Sequence, residues 1–323
     1  MTVSLTRVEH QKSVGAIKPR AVSRNARVGI FAPASPAEDE RIQRGLAELR
    51  SLGLLPLDSF ARNPHAYFSA PPEERLKHFL SLLQDPQIEA LIALRGGYGS
   101  NYMLEAIWSL HSLDAKCILG YSDITSLQIL LWQKFHWVGF YGPMVAAAFD
   151  AGANAAKGYN RASFEDAVFG AKNSWRIDLG GEAMVQRFAE GIVLGGCLTL
   201  VETSLGTPWE LDTMGCILLL EDRGMKPWQI DRALMHLIQA GKFRSVRGVV
   251  LGEFPDCEPP VGGGADARAV CERILTPLGV PIVYGAAIGH TPRPMLTIPL
   301  GIRAKLVAEG AGTLEFLETA VTT

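Results

Sequence analysis

The sequence predicts an α/β protein in which a parallel-sheet unit is followed by a second α/β unit. Three observations carry this. From residue 28 onward, short apolar runs alternate with amphipathic stretches of helical period, the mark of a parallel sheet flanked by helices. Several of those runs end in glycine-rich turns. The run 216–220 is apolar at every position, so a strand there must be covered on both faces.

A chain of 323 residues, 48% hydrophobic and 20% charged, is long enough for two cores. We divide it into an N-terminal arm (1–27), a first α/β domain (28–150), a connecting segment (151–191) and a second α/β domain (192–323). The net charge of -2, from 31 basic and 33 acidic residues, creates no field that would draw nucleic acid or an anionic membrane. The five cysteines are scattered, mostly in apolar runs, as expected for reduced, buried thiols, and without a C-x-x-C pair they offer no zinc site of that kind. Residues 1–27 carry six basic side chains and one acid, Glu9, but lack the apolar centre of a secretory signal. The expectation is a loosely packed arm on a cytoplasmic protein. The longest apolar runs, such as 217–220, are too short to span a bilayer.

In chain order, 28–31 is the first strand and 32–36 a turn at its C-terminal end. The stretch 38–52 is a helix with Ile42, Leu46 and Leu49 on one face, ended by Gly53. A strand at 54–57, a helix at 73–83 stopped by Asp85-Pro86, and a strand at 88–94 follow. The last runs into Arg95-Gly96-Gly97-Tyr98-Gly99-Ser100, where three glycines in four residues let the backbone approach a ligand and offer its amides. A plain flexible turn is the alternative. A phosphate cradle is disfavoured, since no Gly-Lys-Ser/Thr follows.

Residues 117–119 form a buried strand, Gly120 frees the backbone to turn, and 124–135 is the next helix. Ser122 therefore sits on a strand-to-helix turn, with the first helical amides, that of Asp123 among them, pointing at any negative charge that develops beside it. That placement suits a nucleophile. On this stretch alone a helix cap at Ser122 or Asp123 is the favoured reading, and it is not the G-x-S-x-G elbow, because Ile124 replaces the second glycine. After a strand at 138–140 the pattern weakens through the connection, which holds a short helix at 163–169 and then Trp175. The second half continues with Gly195-Gly196-Cys197 and a helix-like stretch from Leu198. Next come the strand 216–220 ending in Glu221, a helix opened by Pro227, a strand at 249–251, a helix at 265–275 and a strand at 281–284 leading to Gly289-His290-Thr291. Stretches 296–298, 304–307 and 313–316 read as closing strands.

A serine nucleophile needs a base, and of seven histidines His290 alone follows a glycine just past a strand, where an imidazole can face a cleft. A third group must accept its other ring N–H. Glu221, directly after four apolar residues, suits that role, the alternative being an ion pair with Arg223 or Arg232. Its charge favours the imidazolium while burial opposes it, so the two effects on the His290 pKa pull in opposite directions.

Jointly, Arg95-Gly96-Gly97-Tyr98-Gly99, Gly120-Tyr121-Ser122-Asp123-Ile124-Thr125, Gly206-Thr207-Pro208, Leu220-Glu221-Asp222 with Ile230-Asp231-Arg232, and Gly289-His290-Thr291 with Pro299-Leu300-Gly301 resemble the LD-carboxypeptidase family. That family groups muramoyltetrapeptide carboxypeptidases with microcin C self-immunity peptidases. The resemblance implies a flavodoxin-like N-terminal domain, a swivelling C-terminal α/β domain and a homodimer. It implies Ser122 as nucleophile, His290 as general base, Glu221 as orienting acid, and the amides of Gly97 and Asp123 as oxyanion hole. The implied activity is release of the terminal D-amino acid from a cell-wall-derived tetrapeptide, in peptidoglycan recycling. It implies no metal or organic cofactor. Arg95 and Tyr98 are candidate substrate-binding residues, Arg95 for the free carboxylate, with a structural arginine as the alternative. Two positions depart from the common pattern: Cys197 where many relatives have asparagine, and Met225 where many have glutamate. Two rival readings stand: an immunity-like amidase acting on peptidyl or aminoacyl nucleotides, for which Trp175 would stack the purine, and a non-catalytic ligand-binding protein.

Overall fold

The computed structural model describes residues 15–60, 62–170, 175–259 and 264–323. The first half runs β1 (Arg27–Phe31), α1 (Asp39–Ser51), β2 (Leu55–Leu57), α2 (Pro72–Gln84), β3 (Ile88–Ala93), α3 (Asn101–Trp108), β4 (Cys117–Gly120), α4 (Ile124–Phe135), β5 (Gly139–Tyr141) and α5 (Arg161–Glu165). The second runs β6 (Trp175–Asp178), β7 (Glu182–Val185), β8 (Arg187–Cys197), α6 (Leu198–Thr203), β9 (Cys216–Glu221), α7 (Pro227–Gln239), β10 (Gly248–Leu251) and α8 (Ala267–Leu275). It closes with β11 (Ile282–Tyr284), β12 (Ile298–Leu300), β13 (Arg303–Ala308) and β14 (Thr313–Phe316).

Two sheets result. The first has the order β12-β5-β4-β3-β1-β2, its five N-terminal strands parallel in the flavodoxin-like sequence. The second has eight strands in the order β6-β14-β13-β8-β9-β10-β11-β7, parallel from β8 to β11 and antiparallel at both flanks. Val28, Ile30, Leu91, Ile118 and Leu119 in the first sheet and Ile217 to Leu220 in the second are buried, as continuous apolar strands covered on both faces must be. Ile42, Leu46 and Leu49 form the buried face of α1 as expected.

Helix α4 lies at the junction of the two sheets. Its residues from Ile124 to Leu131 are all buried, polar ones included, so it is covered on every side rather than along one stripe. Gln128 ties it to the first sheet through Nε2, which donates to the Gly120 carbonyl at 3.1 Å and the Phe140 carbonyl at 2.9 Å. Thr125 Oγ1 ties it to the second, accepting from Cys197 N at 3.1 Å.

Several expectations needed revision. The segment 151–191, read as a connection, carries β6, β7 and the start of β8; residues 171–174 lie outside the described residues. The outer strands β6 and β7 are only half covered, and β8 is exposed over its first residues, so none of them shows the apolar run that marks an interior strand. Helix α3 was also not expected, its short apolar face being Met103, Leu104 and Ile107. The strand expected at 296–298 lies at Ile298–Leu300 and pairs antiparallel with β5 in the first sheet. Residues 285–297 therefore cross from the second sheet back to the first. The described part of the arm is docked rather than loose: Ile17 N donates to His136 O and Ala21 N to Thr322 O, both at 2.8 Å, and Val22 is buried. Residues 1–14 lie outside the described residues. No described helix is long and apolar enough to cross a membrane.

The end of β8 depends on glycine. Gly195 has φ +124°, and an added Cβ would lie 2.0 Å from the Leu219 carbonyl oxygen on β9. Gly195→Ala should lower unfolding free energy by more than ~2 kcal/mol, through backbone strain and collision with an atom that cannot rotate away. A urea midpoint equal to wild type would refute this close strand approach.

Candidate active site

Ser122 is reached through a turn that leaves little choice of conformation. The chain leaves β4 at Gly120 and enters α4 at Ile124, and Ser122 takes φ +62°, a left-handed value that costs energy for any residue with a Cβ. The glycine loop after β3 lies directly on its side chain: a Cβ on Gly96 would be 2.9 Å from Ser122 Cβ and 3.0 Å from Oγ. Capping does not explain the turn, because α4 has no side-chain cap. Asp123 turns its carboxylate away instead, Oδ2 accepting from Ser100 N at 2.8 Å while its carbonyl accepts from Ser100 Oγ at 2.8 Å. The amides of Gly97 and Asp123 donate to no acceptor among the described residues, although Asp123 is buried. Both amides are therefore open to an acceptor brought by a ligand.

The loop is clamped from behind by Arg75, a buried arginine on α2. It donates from Nε to Ala70 O at 2.9 Å, from Nη1 to Gly99 O at 2.8 Å and to the Pro33 carbonyl, and its guanidinium lies 4.7 Å from the Phe68 ring centroid. Burial lowers its pKa, opposed by the Asp123 charge. For Asp123, burial raises the pKa, opposed by the Ser100 hydrogen bonds and Arg75. Arg75 was missed in the sequence, yet a signal was there. It occupies the stripe of α2 that also holds Phe79, Leu82 and Leu83, where a charge must have dedicated partners.

Glu221, at the end of β9, is fully buried. Its Oε2 accepts from His290 N at 2.8 Å and from His290 Nδ1 at 2.9 Å, and its Oε1 accepts from the Tyr141 hydroxyl. Two glycines make room for it: an added Cβ would lie 2.3 Å from the Glu221 carboxyl carbon at Gly289 and 2.5 Å from its Cβ at Gly252. The alternative ion pairs do not form, since Arg223 binds Asp256 at 2.7 Å and Arg232 lies over the Trp228 ring. Burial would raise the Glu221 pKa, but the His290 charge and the hydrogen bonds from His290 and Tyr141 outweigh it and hold the acid below its ordinary value. Burial would lower the His290 pKa, but the Glu221 charge and hydrogen bond outweigh it and raise the base. An imidazole held in this way can take a proton from a hydroxyl and hand it to a leaving group.

His290 lies on the segment that crosses between the sheets, its ring edge-on to Tyr121 with centroids 5.1 Å apart. Tyr121 immediately precedes Ser122, so hydroxyl and imidazole reach the same cleft, though no hydrogen bond joins them among the described residues. Tyr141, not foreseen, links the two halves: its hydroxyl also accepts from Ser122 N at 3.4 Å. Arg95 is half-buried and donates to Pro36 O at 3.1 Å. Tyr98 is exposed and clusters with Tyr67, Phe68 and Tyr102. Trp175 is in β6, stacked on Phe316 at 4.3 Å, and is spent on sheet packing. All five cysteines are free and buried. Among the described residues no group of three or more His, Cys, Asp and Glu side chains is arranged to hold a metal.

Comparison with known proteins gives a consistent result. The LD-carboxypeptidase N-terminal domain matches residues 28–142 and the LD-carboxypeptidase C-terminal domain residues 190–306. A probable murein peptide carboxypeptidase of Bacillus subtilis is 32% identical over 303 residues, covering 92% of this chain and 94% of its own. The structure of muramoyltetrapeptide carboxypeptidase from Oxalobacter formigenes superposes with TM-score 0.79 at 27% identity, covering 92% of this chain and all of its own. The microcin immunity protein MccF, in complex with glutamyl sulfamoyl guanosine, superposes with TM-score 0.83 at 21% identity over 95% of this chain and all of its own, a likeness of fold.

The electrostatics fix a direction for pH dependence. A base must be neutral to accept a proton, and His290 is raised above the free-histidine value. The acid limb of kcat/KM should therefore lie above ~6.5. Glu221→Gln should lower the rate and move that limb down, since the imidazolium loses its partner. A pH–rate profile of this variant that superposes on wild type would return Glu221 to a purely structural role.

Proposed function

The chain belongs to the LD-carboxypeptidase family, and from that premise we propose that it is a serine peptidase that hydrolyses the L,D-peptide bond at the end of a cell-wall-derived tetrapeptide, releasing the terminal D-amino acid. The observation that carries the reading is the fully buried Glu221 carboxylate holding Nδ1 of His290 beside the constrained Ser122 turn. Ser122 Oγ attacks the scissile carbonyl carbon as His290 Nε2 takes its proton, and the oxyanion is received by the amides of Gly97 and Asp123. Collapse of the tetrahedral intermediate breaks the C–N bond. His290 gives its proton to the departing amine, and water, deprotonated by the same imidazole, then releases the acyl group from Ser122.

Arg95 and Tyr98 are proposed to contact substrate, being on the loop that supplies Gly97. Arg95 has no acid partner among the described residues, which leaves guanidinium hydrogens for a carboxylate. A cytoplasmic place in peptidoglycan recycling and a homodimer rest on the family resemblance. The nucleotide-cleaving alternative draws on the complex of MccF with glutamyl sulfamoyl guanosine. It loses its expected purine-stacking residue, because Trp175 packs against Phe316. A non-catalytic binding protein would have no use for a buried carboxylate–imidazole pair.

The test is to incubate the protein with muramoyl-tetrapeptide and, separately, with an aminoacyl sulfamoyl adenosine, and to weigh the products. Loss of one D-alanine from the first and no change in the second is expected. Ser122→Ala should reduce kcat by at least ~10³ while the thermal midpoint stays close to wild type. Turnover within tenfold of wild type would sink the assignment of Ser122.

A further inference from the structure

We propose that Tyr141 is a positioning residue of the reaction, its single hydroxyl proton fixing the hydrogen-bond direction through Glu221 to His290 while its oxygen holds the backbone of Ser122. The proposal rests on the reading of Ser122, His290 and Glu221 given above.

Tyr141 ends β5 in the first sheet, whereas Glu221 ends β9 in the second. Its ring is completely buried, faced by the Tyr121 ring with centroids 6.3 Å apart and by the end of β8. A Cβ on Gly196 would come within 3.1 Å of Tyr141 Cε2. The hydroxyl has two partners, Ser122 N at 3.4 Å and Glu221 Oε1. A phenol has one proton, and a backbone N–H can only donate. Towards Ser122 the oxygen must therefore accept, so its proton is directed at Glu221.

The direction then propagates. With Oε1 accepting from the phenol and Oε2 accepting from His290 N, Glu221 is an ionised acceptor, and the remaining contact at Oε2 is filled by a proton on His290 Nδ1. That tautomer leaves Nε2 with its lone pair free, the form a general base requires. The other end of the relay acts on the nucleophile. Ser122 is held at φ +62°, and the phenol oxygen is the acceptor of its amide. One side chain thus ties the strained turn of one sheet to the acid of the other. A phenylalanine would fill the same volume but leave Glu221 Oε1 without a donor inside a dry site, a costly omission.

The charged and titratable groups around the pair are Asp222 and Arg223 beside Glu221, Cys197 at the end of β8, and Tyr121 on the turn. Burial keeps Cys197, Tyr121 and Tyr141 protonated through the neutral range. Apart from Tyr141 itself, none is altered by Tyr141→Phe, so a change in profile reports on the hydroxyl. The phenolic hydrogen presents its positive end to Glu221. Without it the carboxylate is a stronger acceptor and holds the imidazolium more firmly.

The experiment compares wild type with Tyr141→Phe and with 3-fluorotyrosine placed at position 141, using the full chain and muramoyl-tetrapeptide. Tyr141→Phe should lower kcat/KM by about 10- to 100-fold, mostly in kcat, and shift the acid limb to higher pH, with a thermal midpoint lowered by the unpaired Glu221 oxygen. The fluorinated phenol, a stronger donor of the same shape, should shift the limb to lower pH and fold even if phenylalanine does not. A limb unmoved in both variants overturns the proposal, whether or not the rate or the thermal midpoint falls, because removing or strengthening the donor to Glu221 must change the charge that His290 feels. Ser122→Ala and His290→Ala run alongside. If they stay active, the triad reading fails and this proposal with it. If they are inactive while the two Tyr141 variants keep the wild-type profile, only the tyrosine proposal fails.

Discussion

A carboxylate buried without access to water is the constraint around which this molecule is arranged. Glu221 has no exposed surface, and an ionised acid in that position is tolerated only when its oxygens are paired. Its partners come from two separate stretches of chain: a backbone amide and an imidazole from His290, and a phenol from Tyr141. Each must arrive without a side chain between it and the acid, which accounts for Gly252 and Gly289 on either side. Sheet topology follows the same need. The chain leaves the second sheet after β11, passes His290 across the acid, and returns to the first sheet as β12 against β5, the strand that ends in Tyr141. The antiparallel β12–β5 ladder thus fixes imidazole and phenol relative to each other through backbone hydrogen bonds, which a hinge between separately closed sheets could not do.

The second centre, the Ser122 turn, is held with comparable redundancy. The cost of a left-handed serine is of the order of ~1–3 kcal/mol, and it persists because α4 has nowhere else to go. Gln128 holds the helix to the ends of β4 and β5, Thr125 holds it to β8, and its flanks are enclosed. Arg75 and Asp123 perform the corresponding task for the glycine loop, one binding its Gly99 carbonyl and the other the amide of Ser100 that follows it. The loop also leaves no room between Gly96 and the Ser122 side chain, so each limits where the other can sit. Unspent amides next to a hydroxyl gain most from such rigidity, because preorganised donors need no reorganisation when charge develops.

What could be read in the sequence follows from which signals are local. Interior parallel strands announced themselves as apolar runs, and α4 was bounded to the residue because Gly120 and the run from Ile124 are adjacent in the chain. Ser122 and Glu221 were singled out because they stand at or just past the ends of interior strands, where ligand-facing groups of a parallel sheet gather, and His290 because it follows a glycine beyond β11. Strands β6 and β7 were missed because edge strands need neither apolar alternation nor length. The pairing of β12 with β5 is a contact between residues more than 150 positions apart, and no periodicity encodes it. Tyr141 was invisible for a different reason: Gly139-Phe140-Tyr141 reads as an ordinary buried strand, and only its meeting with Glu221 gives the hydroxyl a task.

Cys197 and Met225 illustrate how neighbouring carboxylates are kept apart. Strand alternation sends Glu221 and Asp222 to opposite sides of β9. Glu221 faces His290, while Asp222 faces the first turn of α6, where Oδ2 accepts from Thr199 N at 2.8 Å, from Thr199 Oγ1 at 2.7 Å and from the Cys197 thiol at 3.4 Å. Met225 belongs to the same group, its sulfur 3.6 Å from Thr199 Oγ1. Both side chains therefore lie on the Asp222 side of the strand. Burial raises the Asp222 pKa and the neighbouring Glu221 charge adds to the rise, opposed by the Thr199 hydrogen bonds, whereas Glu221 is held down by His290. Two adjacent buried acids are thus driven in opposite directions by their surroundings. A neutral thiol and a thioether near Asp222 add no third charge to that balance. A cation there would draw Asp222 towards the ionised state and place a second full negative charge beside the pair. The apolar character of positions 197 and 225 leaves His290 as the charge partner of Glu221 and Glu221 as the carboxylate that sets the basicity of His290.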